Sequence, residues 1–233
     1  MRYRRLLQVL LFSVLQTTGI AMYAASISFK AYETPTLLPF LMMLAVVFLE
    51  FGGLFIELNS SYYARYKIQL WLLVTIIVTA LSNLMLPTMV NVINDLIMVT
   101  LALLFFLPGL FTNEWGLLSV AALFSALVPG FFLLSHQYLP MAAVSAMLLP
   151  FLCYGYFFKA HFVTVKWSGA VILLGLLIIA ALFMTQTPSL MIVITIFCLV
   201  IWFLLTRRIS QTSNRFLILS ACLIAIVLIL NRQ

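Results

Sequence analysis

The chain has 233 residues, of which 66% are apolar and 7% carry a charged side chain. A soluble domain usually has about 25% charged residues, so this composition excludes an ordinary soluble domain or enzyme. Apolar runs of eighteen or more residues recur along the chain and predict membrane spans. Because these runs are continuous rather than alternating with polar residues, they favour helices over a β-barrel.

The net charge of +7 does not indicate a nucleic-acid partner, because the twelve Lys and Arg residues form small groups between apolar runs. The three cysteines, Cys153, Cys198 and Cys222, lie inside apolar runs, without a CxxC motif or a Cys/His cluster. We therefore expect buried thiols, with no disulfide framework, no metal site and no cofactor. The expected partners are the lipid bilayer and other membrane proteins or a second copy of the chain.

In chain order, the apolar runs predict nine spans in one helical domain over 1–233, without a soluble domain. Each predicted span boundary is accurate to about 2–4 residues. The spans are expected at roughly 6–28, 36–57, 68–86, 88–111, 115–134, 138–158, 167–184, 188–206 and 214–231. The last run is short of the roughly 20 residues that a crossing needs, so eight spans are the alternative.

The basic residues predict the orientation by the positive-inside rule. With a cytoplasmic N-terminus, only Lys30 and Arg232 fall outside, and the C-terminus is expected outside. Ten basic residues then fall inside: Arg2, Arg4, Arg5, Arg65, Lys67, Lys159, Lys166, Arg207, Arg208 and Arg215. The short loops, with small groups of Lys and Arg between the apolar runs, are typical of a prokaryotic inner or plasma membrane protein.

The first span carries Gln16, Thr17, Thr18 and Gly19 near its centre. Side chains of this kind commonly hold membrane helices together by hydrogen bonds and close packing. We predict a helix-packing role for Gln16. The same polar residues interrupt the apolar stretch and argue against a cleaved signal peptide.

The second span contains Glu50 in its predicted inner half, and Glu57 follows seven residues later on the same helical face. Gly52 and Gly53 next to Glu50 predict the close approach of a neighbouring helix. Inserting an ionisable group at this depth costs about 2.5–3.5 kcal/mol of free energy, so a structural or functional role has to account for it. Glu50 is therefore a candidate for a substrate or ion path, with a packing role as the alternative, and Glu57 is expected at the interface.

The third and fourth spans contribute a second polar group. Thr88, Asn91, Asn94 and Asp95 recur at spacings of three and four, so they share one face, and Asn83 is expected nearby. We predict that Asp95 lies in the outer third of a helix and that this face meets protein or water. The competing interpretation is a short outer hairpin capped by asparagines.

Three prolines, Pro108, Pro129 and Pro150, predict kinks in or near spans four to six. Kinked helices line binding sites in transporters, although proline is also frequent in membrane helices generally. His136 and His161 are each without a second metal ligand at helical spacing, so both are expected at the membrane interface.

These observations favour a small permease, or the membrane subunit of a transporter, over an accessory or scaffold protein that binds other membrane proteins. An intramembrane enzyme on a lipid-linked substrate is the least favoured class. Such an enzyme needs clustered groups at one depth, and Glu50 and Asp95 are expected toward opposite membrane faces, too far apart to form a pair.

Overall fold

The computed structural model describes residues 2–28, 37–60, 63, 65–107, 113–134, 139–163, 169–184, 187–206 and 213–231. All regular secondary structure in these ranges is helical, which confirms the predicted all-α class. The described helices are α1 (Arg2–Ser28), α2 (Leu37–Leu58), α3 (Arg65–Ser82), α4 (Thr88–Phe106), α5 (Glu114–Ser125), α6 (Leu127–Leu133), α7 (Met141–Ala146), α8 (Leu148–Phe157), α9 (Lys159–Phe162), α10 (Gly169–Met184), α11 (Ser189–Leu205) and α12 (Asn214–Leu230).

Five helical segments are long and apolar enough to cross a membrane. They are Arg5–Ser26, Leu37–Leu58, Arg65–Ser82, Thr88–Phe106 and Glu114–Leu133, the last formed by α5 and α6 together. Four shorter apolar segments follow: Met141–Phe157, Gly169–Met184, Ser189–Leu205 and Asn214–Leu230. A 17-residue helix such as α12 is about 26 Å long, short of a core of about 30 Å, so nine crossings stay a prediction.

The third helix ends at Ser82, four residues before its predicted end. The Ser82 hydroxyl donates to the Thr79 carbonyl, and the chain then turns through hydrogen bonds from Leu84 and Met85. Because the residue before a proline is steered out of the helical region, Leu86 cannot extend the helix into Pro87. The turn creates a tight α3–α4 hairpin.

Two prolines divide longer helical segments into pairs. The junctions at Ala126 and Met147 lie three residues before Pro129 and Pro150, because a proline ring removes a backbone donor and crowds the preceding turn. Pro150 cannot donate to the carbonyl of Ala146. The Tyr23 hydroxyl of α1 donates to that carbonyl instead, over 3.2 Å, which satisfies the freed acceptor.

The core lies where α1, α2, α5 and α8 meet, and α12 packs along α1. Aromatic rings fill the centre: Phe51 of α2 stacks on Phe124 of α5 with ring centroids 4.4 Å apart, and Phe12 of α1 lies 5.0 Å from Phe55. Offset and tilted ring pairs of this kind stabilise a core beyond their buried area.

The outside of the bundle is strongly apolar. Large hydrophobic side chains such as Leu173, Leu176, Val193 and Phe197 are exposed along α10 and α11. A water-soluble monomer rarely exposes apolar patches of this extent. The surface fits a lipid environment.

Candidate functional site

Glu50 is completely buried in the middle of α2, 0% exposed. It lies 13 residues after Leu37 and eight before Leu58, about 20 Å and 12 Å from the two helix ends. Neither carboxyl oxygen has a hydrogen-bond partner among the described residues. An uncompensated buried carboxyl is costly, so this position calls for a functional account.

Two contacts show which helix the Glu50 face meets. The Asn94 amide of α4 lies 3.8 Å from the Met43 sulfur, and a methyl group built on Gly53 would lie 3.3 Å from the Leu101 side chain. Met43 and Gly53 are on the same face of α2 as Glu50, seven residues before it and three after. Glu50 therefore faces α4, one to two turns deeper than Asn94.

The α3–α4 hairpin is held by asparagine amides. The Asn91 amide nitrogen donates to the carbonyls of Asn83 and Leu86, over 3.1 and 3.2 Å. The Asn83 amide nitrogen donates to the Asp95 carboxylate over 3.4 Å. Asparagine capping of the hairpin, the competing interpretation of this sequence, accounts for these contacts of Asn91 and Asn83.

Asp95 lies within α4, seven residues or about 10 Å from its first residue, as the sequence predicted. α2 and α4 pack side by side, so Asp95 and Glu50 lie on neighbouring helices, with Glu50 the deeper of the two. That the two acids are too far apart to form a pair stays a prediction.

Asn83, Asn91 and Asp95 are joined by hydrogen bonds at the α3–α4 hairpin, while Asn94 and Glu50 lie on the faces where α4 and α2 meet. We call Glu50, Asn83, Asn91, Asn94 and Asp95 the acid–amide cluster. The predicted single polar face of α4 is divided, because Asn94 is buried and Asn91 half-buried, while Thr88 and Asp95 are exposed. The buried part of that face meets protein, and the expectation that the rest meets water rather than lipid stays a prediction.

The cluster contains several buried oxygen atoms without a partner. The amide nitrogens of Asn83 and Asn91 donate to a carboxylate or to backbone carbonyls, and that of Asn94 points at a thioether sulfur. The oxygen of each of these amides is buried and has no hydrogen-bond partner among the described residues. Glu50 adds two further oxygens of this kind.

The two glycines after Glu50 contact the indole ring of Trp71. Trp71 of α3 is half-buried, and its indole N–H donates to the Leu49 carbonyl over 2.8 Å. A methyl group on Gly52 would overlap the Trp71 ring and lie 3.0 Å from the Ser13 hydroxyl. The glycine pair signalled a close neighbour, but spacing could not say that the neighbour is an indole.

Gln16 lies buried between α1 and α12, and its amide nitrogen donates to the Ala221 carbonyl over 2.9 Å. Gly19 lies one turn further along the same contact, where a methyl group would meet the Ala225 backbone at 3.1 Å. These contacts lie away from the acid–amide cluster and join the first and last described helices.

His161 lies on α9, outside the five long segments, with its ring 5.6 Å from the Phe216 ring. Its Nε2 has no partner among the described residues, and burial lowers the pKa of the imidazole to about 4. In the described part of the chain, no three His, Cys, Asp or Glu side chains are grouped to hold a metal ion. His136, Pro108 and Lys30 lie outside the described residues.

A separate groove of about 490 Å³ lies between α1 and α2. Its α2 lining, which includes Phe40, Leu44 and Phe48, belongs to a different face from Glu50. The groove is apolar apart from Thr17 and Thr18, and no charged side chain lines it. It does not continue the acid–amide cluster.

Comparison with known proteins adds no family to this description. No protein-family model, no curated protein and no solved structure matches the chain.

Proposed function

We propose that this protein is a multi-pass membrane permease, or the membrane subunit of a transporter, that moves a small solute along α2, α3 and α4. The acid–amide cluster forms the polar part of the path. Asp95 and the three asparagines receive the solute near the α3–α4 hairpin, and Glu50 binds it midway along α2.

The observation that carries the proposal is Glu50, a fully buried carboxyl without a partner among the described residues, in a helix long and apolar enough to span. Ionisable residues inside membrane spans are costly, and they mark substrate or ion paths by default. A residue retained only for packing would be expected to share a hydrogen bond with a neighbour. Glu50 has none among the described residues.

The kink at Pro129 supports the same location. Gly130 lies beside the cluster, since a methyl group on it would lie 3.3 Å from the end of Met43 and 3.7 Å from Ile93. Met43 in turn contacts Asn94. Broken helices next to a polar site are common in transporters, where they supply backbone carbonyls and a point of movement.

For the topology we propose nine crossings with the N-terminus in the cytoplasm and the α3–α4 hairpin outside. The four segments of 17 residues or fewer then cross with little tilt or in a locally thinned bilayer. Thiol labelling in intact cells tests this arrangement. In a variant without the native cysteines, M141C is expected to react with an impermeant maleimide, and S60C is expected to react only after lysis. Reaction of S60C in intact cells would reverse the orientation.

The permease proposal is tested with Glu50→Gln, which removes the charge and keeps the shape. Cells that produce the wild type, E50Q or the exposed-acid control E114Q are compared by profiling small solutes inside and outside the cell. We expect the same solutes to shift with the wild type and E114Q, but not with E50Q at equal protein level in the membrane.

Identical profiles for all three strains at equal protein levels would contradict the proposal. If a stoichiometric protein partner then co-purified in mild detergent with both E50Q and the wild type, the scaffold function would replace it.

A further inference from the structure

We propose that the solute or coupling ion bound by the acid–amide cluster carries a single positive charge, and that Glu50 is the group that neutralises it. This inference rests on the proposed function and names the class of ligand for the same site. Two observations carry it: the missing counter-charge beside Glu50 and the surplus of buried oxygen atoms in the cluster.

Glu50 has no cationic side chain beside it in the described structure. α2 packs most extensively against α1, α3 and α4, and it also contacts α5, α6 and α8. On α3, Arg65 lies over the Phe105 ring and Lys67 over the Tyr66 ring, and both are exposed near the helix end far from the hairpin. None of the described titratable groups on α2 and the helices around it hydrogen-bonds to Glu50. These groups are Arg5, Tyr23, Glu57, Arg65, Tyr66, Lys67, Asp95, Glu114, Cys153, Tyr154 and Tyr156.

A positive charge placed beside a buried carboxylate stabilises its ionised form. Among the described residues, neither an Arg nor a Lys is bonded to Glu50, which leaves the proton, a small monovalent metal ion or a protonated amine. These share one chemistry: a unit positive charge held by oxygen.

The asparagines also favour a positively charged ligand. Where the partners of Asn83 and Asn91 are a carboxylate and backbone carbonyls, only the amide nitrogen can face them, so the amide oxygens are left over. With Asn94, the cluster offers three buried amide oxygens of this kind beside the two of Glu50. Oxygen ligands are what hard cations and ammonium groups require.

The experiment measures binding at equilibrium on purified protein in lipid nanodiscs, so it does not depend on transport. A membrane-permeant carbodiimide adds to a protonated buried carboxyl: the carboxyl oxygen bonds to the central carbon, and the proton passes to nitrogen. Modification of Glu50 is read by peptide mass spectrometry across a pH series. At fixed pH, the extent of Glu50 modification is measured in sodium, potassium or methylammonium chloride. A bulky quaternary ammonium chloride, which is too large for the site, serves as the control salt.

Trp71 gives a second readout, because its indole is bonded to the Leu49 carbonyl next to Glu50. We expect one of these salts, or acidification, to change Trp71 emission in the wild type and in E114Q. The change should be lost in E50Q and in W71F. Loss of Glu50 modification in one salt identifies that cation as the ligand, whereas loss only at alkaline pH identifies the proton.

The proposal is overturned if Glu50 is unmodified near neutral pH and Trp71 emission is the same in every cation and at every pH. It is also overturned if emission follows the anion, or if the cation effect persists in E50Q. If the purified protein binds a cation but the solute levels in cells do not change, the cation site is supported and the permease function is contradicted. If E50Q still shifts the solute levels in cells and no cation changes Trp71 emission, the protein is a permease in which Glu50 does not bind the ligand.

Discussion

Replacing Gly52 with alanine tests the contact between α2 and α3 that positions Glu50. The added methyl group would overlap one Trp71 ring carbon, lie 2.9 Å from another and lie 3.0 Å from the Ser13 hydroxyl. Ordinary carbon contacts are about 3.5–4.0 Å, so the indole has to move. It cannot move freely, because its N–H is held by the Leu49 carbonyl at 2.8 Å.

The expected cost follows from three contributions. Overpacking costs about 1–3 kcal/mol. Loss of the interhelical hydrogen bond adds about 0.6 kcal/mol. The helix preference for alanine over glycine offsets about 0.5–1 kcal/mol. The net loss in the free energy of unfolding is therefore about 2 kcal/mol.

The matched control is Gly155→Ala on α8. Gly155 is buried in a helix like Gly52, but nothing lies within 4 Å of the position its methyl group would take. We expect G155A to be neutral or more stable by about 0.5–1 kcal/mol. Unfolding in sodium dodecyl sulfate, followed by helical circular dichroism, measures both variants. Equal midpoints for G52A and G155A would refute this account of α2–α3 packing.

Three further predictions concern other contacts. Q16L removes the hydrogen bond to the Ala221 carbonyl and should lower the free energy of unfolding by about 0.6–2 kcal/mol in the same titration. Y23F should cost about 0.6 kcal/mol, because the Ala146 carbonyl loses its donor. The His161 pKa is lowered to about 4 from 6.5, so the unfolded chain binds its proton more tightly. Stability should be constant above about pH 6.5 and fall toward pH 4, by at most about 3 kcal/mol.

Each of these has its own control. For the pH effect, H161Q should flatten the decline between pH 6.5 and pH 4, and an unchanged slope would assign that decline to other groups. For Y23F, replacement of the exposed Tyr66 by Phe should change nothing. If Q16L is as stable as the wild type, the α1–α12 contact is held by packing around Gly19 rather than by the amide.

The positions of the helices could be predicted closely from the sequence. The apolar runs placed helices where α1, α2, α4 and α12 occur, and the boundaries differ mainly where local chemistry intervenes. The early end of α3 is one such case, because the hairpin before Pro87 uses side-chain and backbone hydrogen bonds that hydropathy does not register. The prolines predicted where helices would be interrupted. They could not predict that the Tyr23 hydroxyl would donate to the freed Ala146 carbonyl.

The candidate site was predictable in its members and not in its geometry. Glu50 and Asp95 stood out because charge is rare in apolar runs, and Asn91 and Asn94 because of their helical spacing. That spacing could not show that Asn91 turns back to the hairpin while Asn94 faces Met43. Nor could it show that α4 lies against the Glu50 face of α2, since the depth of a residue in one helix says nothing about which helix lies beside it.

By itself, the sequence determined that the chain forms apolar helices, roughly where they begin and end, and which few residues cannot face hydrocarbon without a reason. Only the tertiary structure decided which helices are neighbours. The physical cause is that a helix such as α10 is apolar on every side, so hydrophobicity marks no unique inward face. Partners are then selected by small and polar groups far apart in the chain, as when Gln16 reaches a carbonyl 205 residues away.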